Sequence, residues 1–582
     1  MQLIFDAVAA AAALVALIIA CWRVSGAIAA LDRVKARLEE TRVFNERFRA
    51  AGTQIGDERA AIRLAGLGAI AELADDWPEC RQACVAVLCS YLRVPNSPDT
   101  GPGTPLEERL KADSARDGRC AVLKIITAHL RPSAEVSWRS LDLDFTGVLF
   151  DGGDFSGAEF SGGEVSFAGA RFCGGEVSFA GVRFSGGEVS FAGAEFSGGK
   201  VSFAGAEFSG GEVGFASARF SGGEVSFAGA WFSGADVSFA GAEFSGSHAS
   251  FAEAEFSGGQ VSFGGAEFYG GEVEFRRARF TGGQVEFRRA RFASGEVSFH
   301  RATFSRGEVS FGRSQFPGGQ AGQGFAGISG AEFSGGEVSF SDAQFSGGQV
   351  GFGGSFFSGA QVGFGGAEFS AGQVSFADAS FSRGEVNYRG ARFSGGDVTF
   401  GFAGFSGGEV SFSGARFSGG EVSFGFAAFS GGQLSFNDAE FSGARVDYRS
   451  ARFCGAQVSF IHARFSGGEV SFVLAKFSDG QASFNGAKFC GGLVDFGRTR
   501  LSGGVVDFFA AEFSGGLVSF GGARFASQVS FLLARFSGGE VDFSKIAEWP
   551  DQPQFDGDGM QPPGVLLPSG SDAAKGPGGP PS

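Results

Sequence analysis

Over nearly all of the stretch from Phe145 to Phe543 a phenylalanine recurs at alternating steps of five and seven residues, as in Phe155, Phe160, Phe167 and Phe172. Self-similarity at a fixed short period restricts a chain to a stacked-repeat architecture, in which each unit buries its apolar side chains only against its neighbours. The 582 residues would otherwise suggest about four globular domains. The 100 glycines come without dispersed proline, because proline clusters around Pro95 to Pro105 and in the tail. That pairing points to many tight turns in an ordered structure.

The first units, LDFTG, VLFDG, GDFSG and AEFSG, place a small or aliphatic residue two before each phenylalanine, with a small polar residue or aspartate and usually glycine after it. This resembles the pentapeptide-repeat family, over about 400 residues of the chain. The resemblance implies a right-handed quadrilateral β-helix with one pentapeptide per side, its central residue and the one two before it pointing inward. After Phe160 the unit departs from the plain pattern and becomes VSFAG-AEFSG-GE, two pentapeptides plus two residues. A coil of one such unit would crowd two phenylalanines, a valine and an alanine into a very narrow lumen. A coil of about 24 residues with four phenylalanines, two valines and two alanines fits close packing, with Gly-Glu widening two corners. About 16 such coils would make a rod of about 75 to 80 Å.

Tyr388, Tyr448 and Leu501 stand in phenylalanine positions, which marks those sites as tolerant of modest change. Between Phe316 and Phe333 the spacing breaks: PGGQAGQG adds about two residues and ISGAE about three, read as a bulging corner loop. Another break, one residue short, lies near Ser527. The last repeat closes at Phe543, with Ile546 and Trp549 as an end cap, and the Pro/Gly-rich residues after Pro550 are expected to be disordered.

Ahead of the repeats, Leu3 to Trp22 is an apolar run long enough to span a bilayer as a helix. Arg23, Arg33, Lys35 and Arg37 follow it, so the positive-inside rule places the body of the chain in the cytoplasm. A single-pass anchor in the cell (inner) membrane is preferred to a cleaved signal peptide, for want of a basic n-region and a cleavage site. Ile18-Ile19-Ala20-Cys21 also resembles a lipobox, which would put the body outside. The amphipathic Ala27 to Ala51 continues as a stalk helix. Next come a helix over 58–74, capped by Asp57 and buried through Ile62, Leu64, Leu67, Ile70 and Leu73, and one opened by Pro78 with Cys84, Val87, Leu88 and Tyr91 as its inner face. A last helix opens at the capping box Thr104-Pro105-Leu106-Glu107 and ends before Arg131-Pro132. The domains are therefore a transmembrane anchor (1–25), a helical stalk and domain (26–135), the β-helix with its cap (136–549) and the tail (550–582). The helical segment looks like the region preceding such repeats in actinobacterial membrane-anchored members of the family.

Little in the sequence carries chemistry. The eight cysteines contain no C-x-x-C pair, which suits a reducing compartment. Cys80 and Cys84 lie one helical turn apart and His129 is present, but a metal site needs more converging donors. Glu164, Glu176, Glu188, Glu212 and Glu224 recur without a histidine or nucleophile, so they read as a solvated face. No Ser/His/Asp, Cys/His, P-loop or dinucleotide pattern is present, and neither an enzyme nor a cofactor is expected. One cluster opposes the net charge of −16: Arg276, Arg277, Arg279, Arg288, Arg289, Arg291, Arg301 and Arg313. It is a candidate patch for an anionic partner, set against local neutralisation by the interleaved Glu272, Glu274, Glu286, Glu296 and Glu308. The favoured function is a non-enzymatic membrane-anchored scaffold or interaction rod for a protein partner, with neither nucleic acid nor a small-molecule substrate expected. The alternative is a DNA mimic acting on DNA gyrase, as some acidic members of the family are; the arginine cluster and the anchor speak against it.

Overall fold

The computed structural model describes residues 2–94, 105–293, 296–317, 325–526, 529–548, 554–555 and 561–568. They form two compact units that part between residues 129 and 145.

In the repeat unit strands pair in parallel with the strand about 24 residues on: Glu176 with Lys200, Lys200 with Glu224, Phe172 with Phe196. The coil is thus two sequence units long, and about 17 coils stack into a parallel β-solenoid with two 32-stranded sheets. One coil runs Phe155, Phe160, Phe167, Phe172 before Phe179 starts the next, so the phenylalanines form four columns. Rings in a column lie flat on one another, as with Phe203 and Phe227 at 4.7 Å and 4°. Two of the columns meet edge-to-face across the lumen, as with Phe167 and Phe179 at 5.6 Å and 85°. The inner valines and alanines fill what remains, and Val177, Ala170 and Ala194 are all buried. Each buried ring contributes roughly 1.5–3 kcal/mol through transfer, and ring pairing adds about 0.5–1.5 kcal/mol.

The two kinds of corner follow from sequence. At Phe167-Ala168-Gly169-Ala170 the chain makes a four-residue turn: Ala170 N–H donates to Phe167 O at 3.0 Å, and Gly169 has φ +61°. The other corner is the Ser-Gly-Gly step that the widening Gly-Glu created. In Arg183–Ser190 and Glu207–Gly214 a single strand runs straight through it.

The insertion differs from its expected form. Arg291 still pairs with Gln315 in the regular register, whereas Glu296 pairs with Phe325, five positions beyond it, so the whole insertion precedes Phe325. Ile328 takes the inward place in the column, buried, while the Phe325 backbone holds the outward register between Glu296 and Gln349. Residues 318–324, where the bulging loop was expected, lie outside the described residues, as do Ser527 and Trp549. The solenoid also does not end at residue 549. Phe555 stacks on Phe531 at 5.2 Å, and Val565–Leu566 pairs with Val541–Asp542. A phenylalanine and a valine among polar residues are enough to add rungs, which corrects the expectation of disorder from Pro550 onward for these residues.

Tyr388 and Tyr448 lie wholly inside, stacked between ring neighbours at 4.6–5.0 Å, and their hydroxyls have no hydrogen-bond partner among the described residues. Burial pushes both phenols well above their ordinary pKa. A buried donor without a partner costs about 1–3 kcal/mol. Tyr388→Phe and Tyr448→Phe are each expected to raise stability by about 1 kcal/mol or more, read as a higher denaturation midpoint.

In the helical unit α1 (Gln2–Ile55) is one unbroken helix, so apolar run and stalk are continuous as expected. α2 (Ala60–Asp76) follows a turn in which the Asp57 carboxylate accepts Arg59 N–H at 2.8 Å. These bonds, first the one from the Arg59 side chain, hold the Asp57 carboxyl down at about 2. The helix starts two residues later than expected, and Leu64 is exposed where a buried side chain was expected. Pro78–Cys80 forms a single 3-10 turn into α3 (Arg81–Leu92), which buries Cys84, Val85, Leu88, Cys89 and Leu92. Val87 and Tyr91 are only half-buried. α4 (Leu106–Leu130) ends before Arg131; Thr104 of the expected capping box lies outside the described residues.

Candidate interaction surfaces

With the lumen filled, function falls to the outward ladders, where residues one coil apart are stacked. The position before each inward phenylalanine is charged in many coils, and opposite charges on successive rungs form ion pairs. Arg219 sits between Glu195 and Glu243 at 3.3 and 3.8 Å, and Arg171 reaches Glu195 at 3.5 Å. Arg392–Glu368 (2.7 Å), Arg416–Glu440 (3.4 Å) and Lys488–Glu512 (3.5 Å) are further pairs, while Glu243 stacks on Glu267, Arg392 on Arg416 and Arg464 on Lys488. Exposed pairs of this kind are each worth about 0–1 kcal/mol.

The arginine cluster expected from sequence is divided by the fold. Arg276, Arg277, Arg279 and Arg301 belong to the corner turns of one edge and its following strand, and Arg288, Arg289, Arg291 and Arg313 to the alternate turns half a coil away. Several are neutralised in place: Arg277 by Glu253 (3.4 Å), Arg279 by Glu255 (2.7 Å), Arg313 by Asp342 (3.8 Å) and Arg276 by Glu274. Arg291 lies over the Tyr269 ring at 6.0 Å. Arg288, Arg289 and Arg301 have no ion pair among the described residues. What reads in one dimension as a patch is therefore two short turn edges.

The recurring glutamates also separate into two ladders. Glu164, Glu188, Glu212 and Asp236 are in register on one sheet, and Glu176, Lys200 and Glu224 on the other. From Ser305 onward many of the serines that directly follow a phenylalanine are structural, the hydroxyl donating to the carbonyl one coil back, as with Ser418 to Phe393 O at 3.2 Å. No group of three or more His, Cys, Asp or Glu converges to hold a metal among the described residues.

His129 is engaged elsewhere than near the cysteines. Its Nδ1 faces Ile125 O at 2.7 Å, its Nε2 faces Asp75 at 3.0 Å, and its ring stacks on Trp138 at 3.9 Å, while Trp138 Nε1–H also donates to Asp75. Burial raises the Cys84 and Cys89 thiols to about 11. Both are expected to resist iodoacetamide at pH 8 in the folded protein while Cys173, Cys454 and Cys490, exposed on the solenoid, react; peptide mass mapping checks this.

Sequence reasoning missed a second surface near the C-terminal end of the solenoid. There Arg452, Lys476, Arg500 and Arg524 follow one another in register, after uncharged Ser380, Gly404 and Ala428 on the preceding rungs. Only Arg524 is paired among the described residues, to Glu548 at 3.3 Å. Beside this ladder the left-handed turn position, glycine in most early coils, holds Phe402, Phe426 and Leu474, with φ of 60°, 60° and 62°. They are 64%, 56% and 44% exposed, and the two rings stack at 5.1 Å. A shallow groove runs between the turn row Phe402, Phe426, Ser450, Leu474, Arg498 and the neighbouring row, in which Ala428 shares the rung of Phe426, and Arg452, Lys476 and Arg500 share those of Ser450, Leu474 and Arg498. The signal was present in the sequence as GFAGF and GFAAF, where FAG-type turns acquire an extra phenylalanine.

The family profile described as Pentapeptide repeats (9 copies) matches residues 145–195 and 239–291. The register carries the same unit from coil to coil, so the solenoid is a pentapeptide-repeat solenoid. No curated protein and no solved structure matches the chain.

Proposed function

We propose that the chain is a non-enzymatic scaffold, held at the cell membrane by α1 with its body in the cytoplasm, whose solenoid presents outward ladders to a protein partner. The observation that supports this most is the combination of a sealed core with ladders of solvent-exposed side chains and, among the described residues, no cluster of catalytic groups in a cleft. Anchoring is supported by the helix Leu14–Ile55, which contains an 18-residue window of mean hydropathy 2.1 and exposes Leu14, Leu17, Ile18, Ile19 and Trp22. The basic residues after the apolar run favour a cytoplasmic body. DNA mimicry needs a continuous acidic surface; ion-paired cations and a cationic ladder weigh against it. The test is fractionation with protease protection on intact and lysed cells. The reading expects the full chain in the membrane pellet, resisting alkaline carbonate and cleaved only after lysis. Release by carbonate overturns the anchor, and cleavage in intact cells overturns the cytoplasmic body.

A further inference from the structure

We propose that two copies of the chain pair side by side in opposite directions, through the face that carries an acidic ladder near the start of the solenoid and a cationic ladder near its end. This goes beyond the scaffold reading: the working scaffold is a dimer, and its other sheet stays open to a further partner.

Both ladders are on one sheet and each runs over four successive rungs. Glu164, Glu188, Glu212 and Asp236 form the first, and Arg452, Lys476, Arg500 and Arg524 the second. All eight side chains are exposed. Elsewhere along the strands like charges stack in twos, as with Glu243 and Glu267 or Arg392 and Arg416. Arg452, Lys476 and Arg500 have no ion pair among the described residues, and neither have Glu188 and Glu212. One face is therefore acidic at one end and cationic at the other, with charge left to satisfy at both.

The placement of the two runs decides how a second copy fits. Asp236 lies in the coil of Trp231, and the rungs of Glu255, Arg279, Thr303 and Glu332 lead from it to the step between Glu332 and Phe356. Those of Phe356, Ser380, Gly404 and Ala428 lead from that step to Arg452. The runs are thus equidistant from one point. A two-fold axis there sets the acidic run of each copy against the cationic run of the other, Glu164 facing Arg524 and Asp236 facing Arg452. Such an interface satisfies both ends at once and closes at two copies, whereas parallel, staggered rods would leave an end open and grow into filaments.

The two runs flank one Ser-Gly-Gly corner, about 16 Å apart across it and about 58 Å apart along the axis. Facing them requires the rods to cross at roughly 30°, the angle at which twisted sheets pack on one another. Phe356, 57% exposed, then lies beside the axis in both copies, and the two rings meet. Charge complementarity sets the direction and register, and the aromatic contact adds apolar area at the centre. Antiparallel rods carry their N-terminal ends apart, so two anchors in one membrane require the pair to lie along it.

The experiment uses the full-length protein in a non-ionic detergent, with mass read by sedimentation velocity. A dimer is expected that weakens at least tenfold as salt is raised. Glu188→Lys with Glu212→Lys, and separately Lys476→Glu with Arg500→Glu, should each weaken it at least tenfold without moving the thermal midpoint. Mixing the two variants should restore pairing as a heterodimer, because every reversed charge then meets its opposite; a folding defect could not be rescued in this way. In Phe356→Cys protein, mild oxidation should link position 356 of one copy to position 356 of the other, identified by peptide mapping, as a contact on a two-fold axis requires. Monomer at every concentration, or association that both reversals leave unchanged, overturns the proposal. So do a mixture that stays unpaired, growth beyond two copies, or a position 356 that remains unlinked.

Discussion

Phe263→Ala is expected to destabilise the coils around it by about 3–5 kcal/mol. The ring lies between Phe239 and Phe287 at 4.7 Å each, and meets Phe251 and Phe275 edge-to-face at 5.9 and 6.2 Å. Its neighbours cannot collapse into the gap, because each is already fixed in its own column by rings above and below. Stacked repeats couple mainly to nearest neighbours, so the loss should be local. Hydrogen exchange is the suitable measurement, since an array this long does not unfold in one step. Amides of Val237–Ser238, Val261–Ser262 and Val285–Glu286 should lose protection first, and coils beyond Phe357 should keep theirs.

Gly211→Ala and Gly205→Ala should differ sharply although the substitution is the same. Gly205, in a four-residue turn with φ +63°, has nothing within 4 Å of where a β-carbon would stand. The cost is the backbone alone, about 1–2 kcal/mol, and Arg277, Asp378 and Ser450 show the turn taking other residues. Gly211 has φ +76°, and its β-carbon would fall deep inside contact with the Gly187 carbonyl oxygen of the coil below. Alanine does occur at this corner, at Ala235, Ala360 and Ala444, but none of these is left-handed. Gly211→Ala must therefore force the corner into that second conformation and interrupt the unbroken strand Glu207–Gly214. A loss of about 3 kcal/mol is expected, read as a lower midpoint than Gly205→Ala in side-by-side denaturation.

The period, the length of the coil and the inward residues were legible because volume and alternation decide them locally. Phe325 shows where that reading fails. Spacing alone made it the natural ladder residue, but only three-dimensional register reveals that Ile328 is inside. Phe555 and Val565 were hidden by the polar, proline-containing chain around them, which masks single apolar contacts to a preceding coil. The arginines at 276–313 were conspicuous because they are close in sequence, whereas Arg452, Lys476 and Arg500 are each separated by a full coil and become a ladder only after folding. Phe402 and Phe426 were lost among the many phenylalanines; recognising them requires knowing which turn position points outward.

The central claim is that one coil takes two sequence units, about 24 residues, with parallel strands in register. A single substitution tests it using the native Cys173, which follows Phe172. Phe172 pairs with Phe196, and Ser197 N–H donates to Phe172 O at 3.0 Å, so positions 173 and 197 are neighbours on adjacent rungs. At about 4.8 Å between rungs, they are within the roughly 4.4–6.8 Å reach of a disulfide. Mild oxidation of the Ser197→Cys protein should link Cys173 to position 197, identified by peptide mapping, while Ser185→Cys, half a coil on and in the other sheet, should leave Cys173 free. A Cys173 link to position 185 and none to position 197 would mean that a single sequence unit closes each coil and would contradict the architecture.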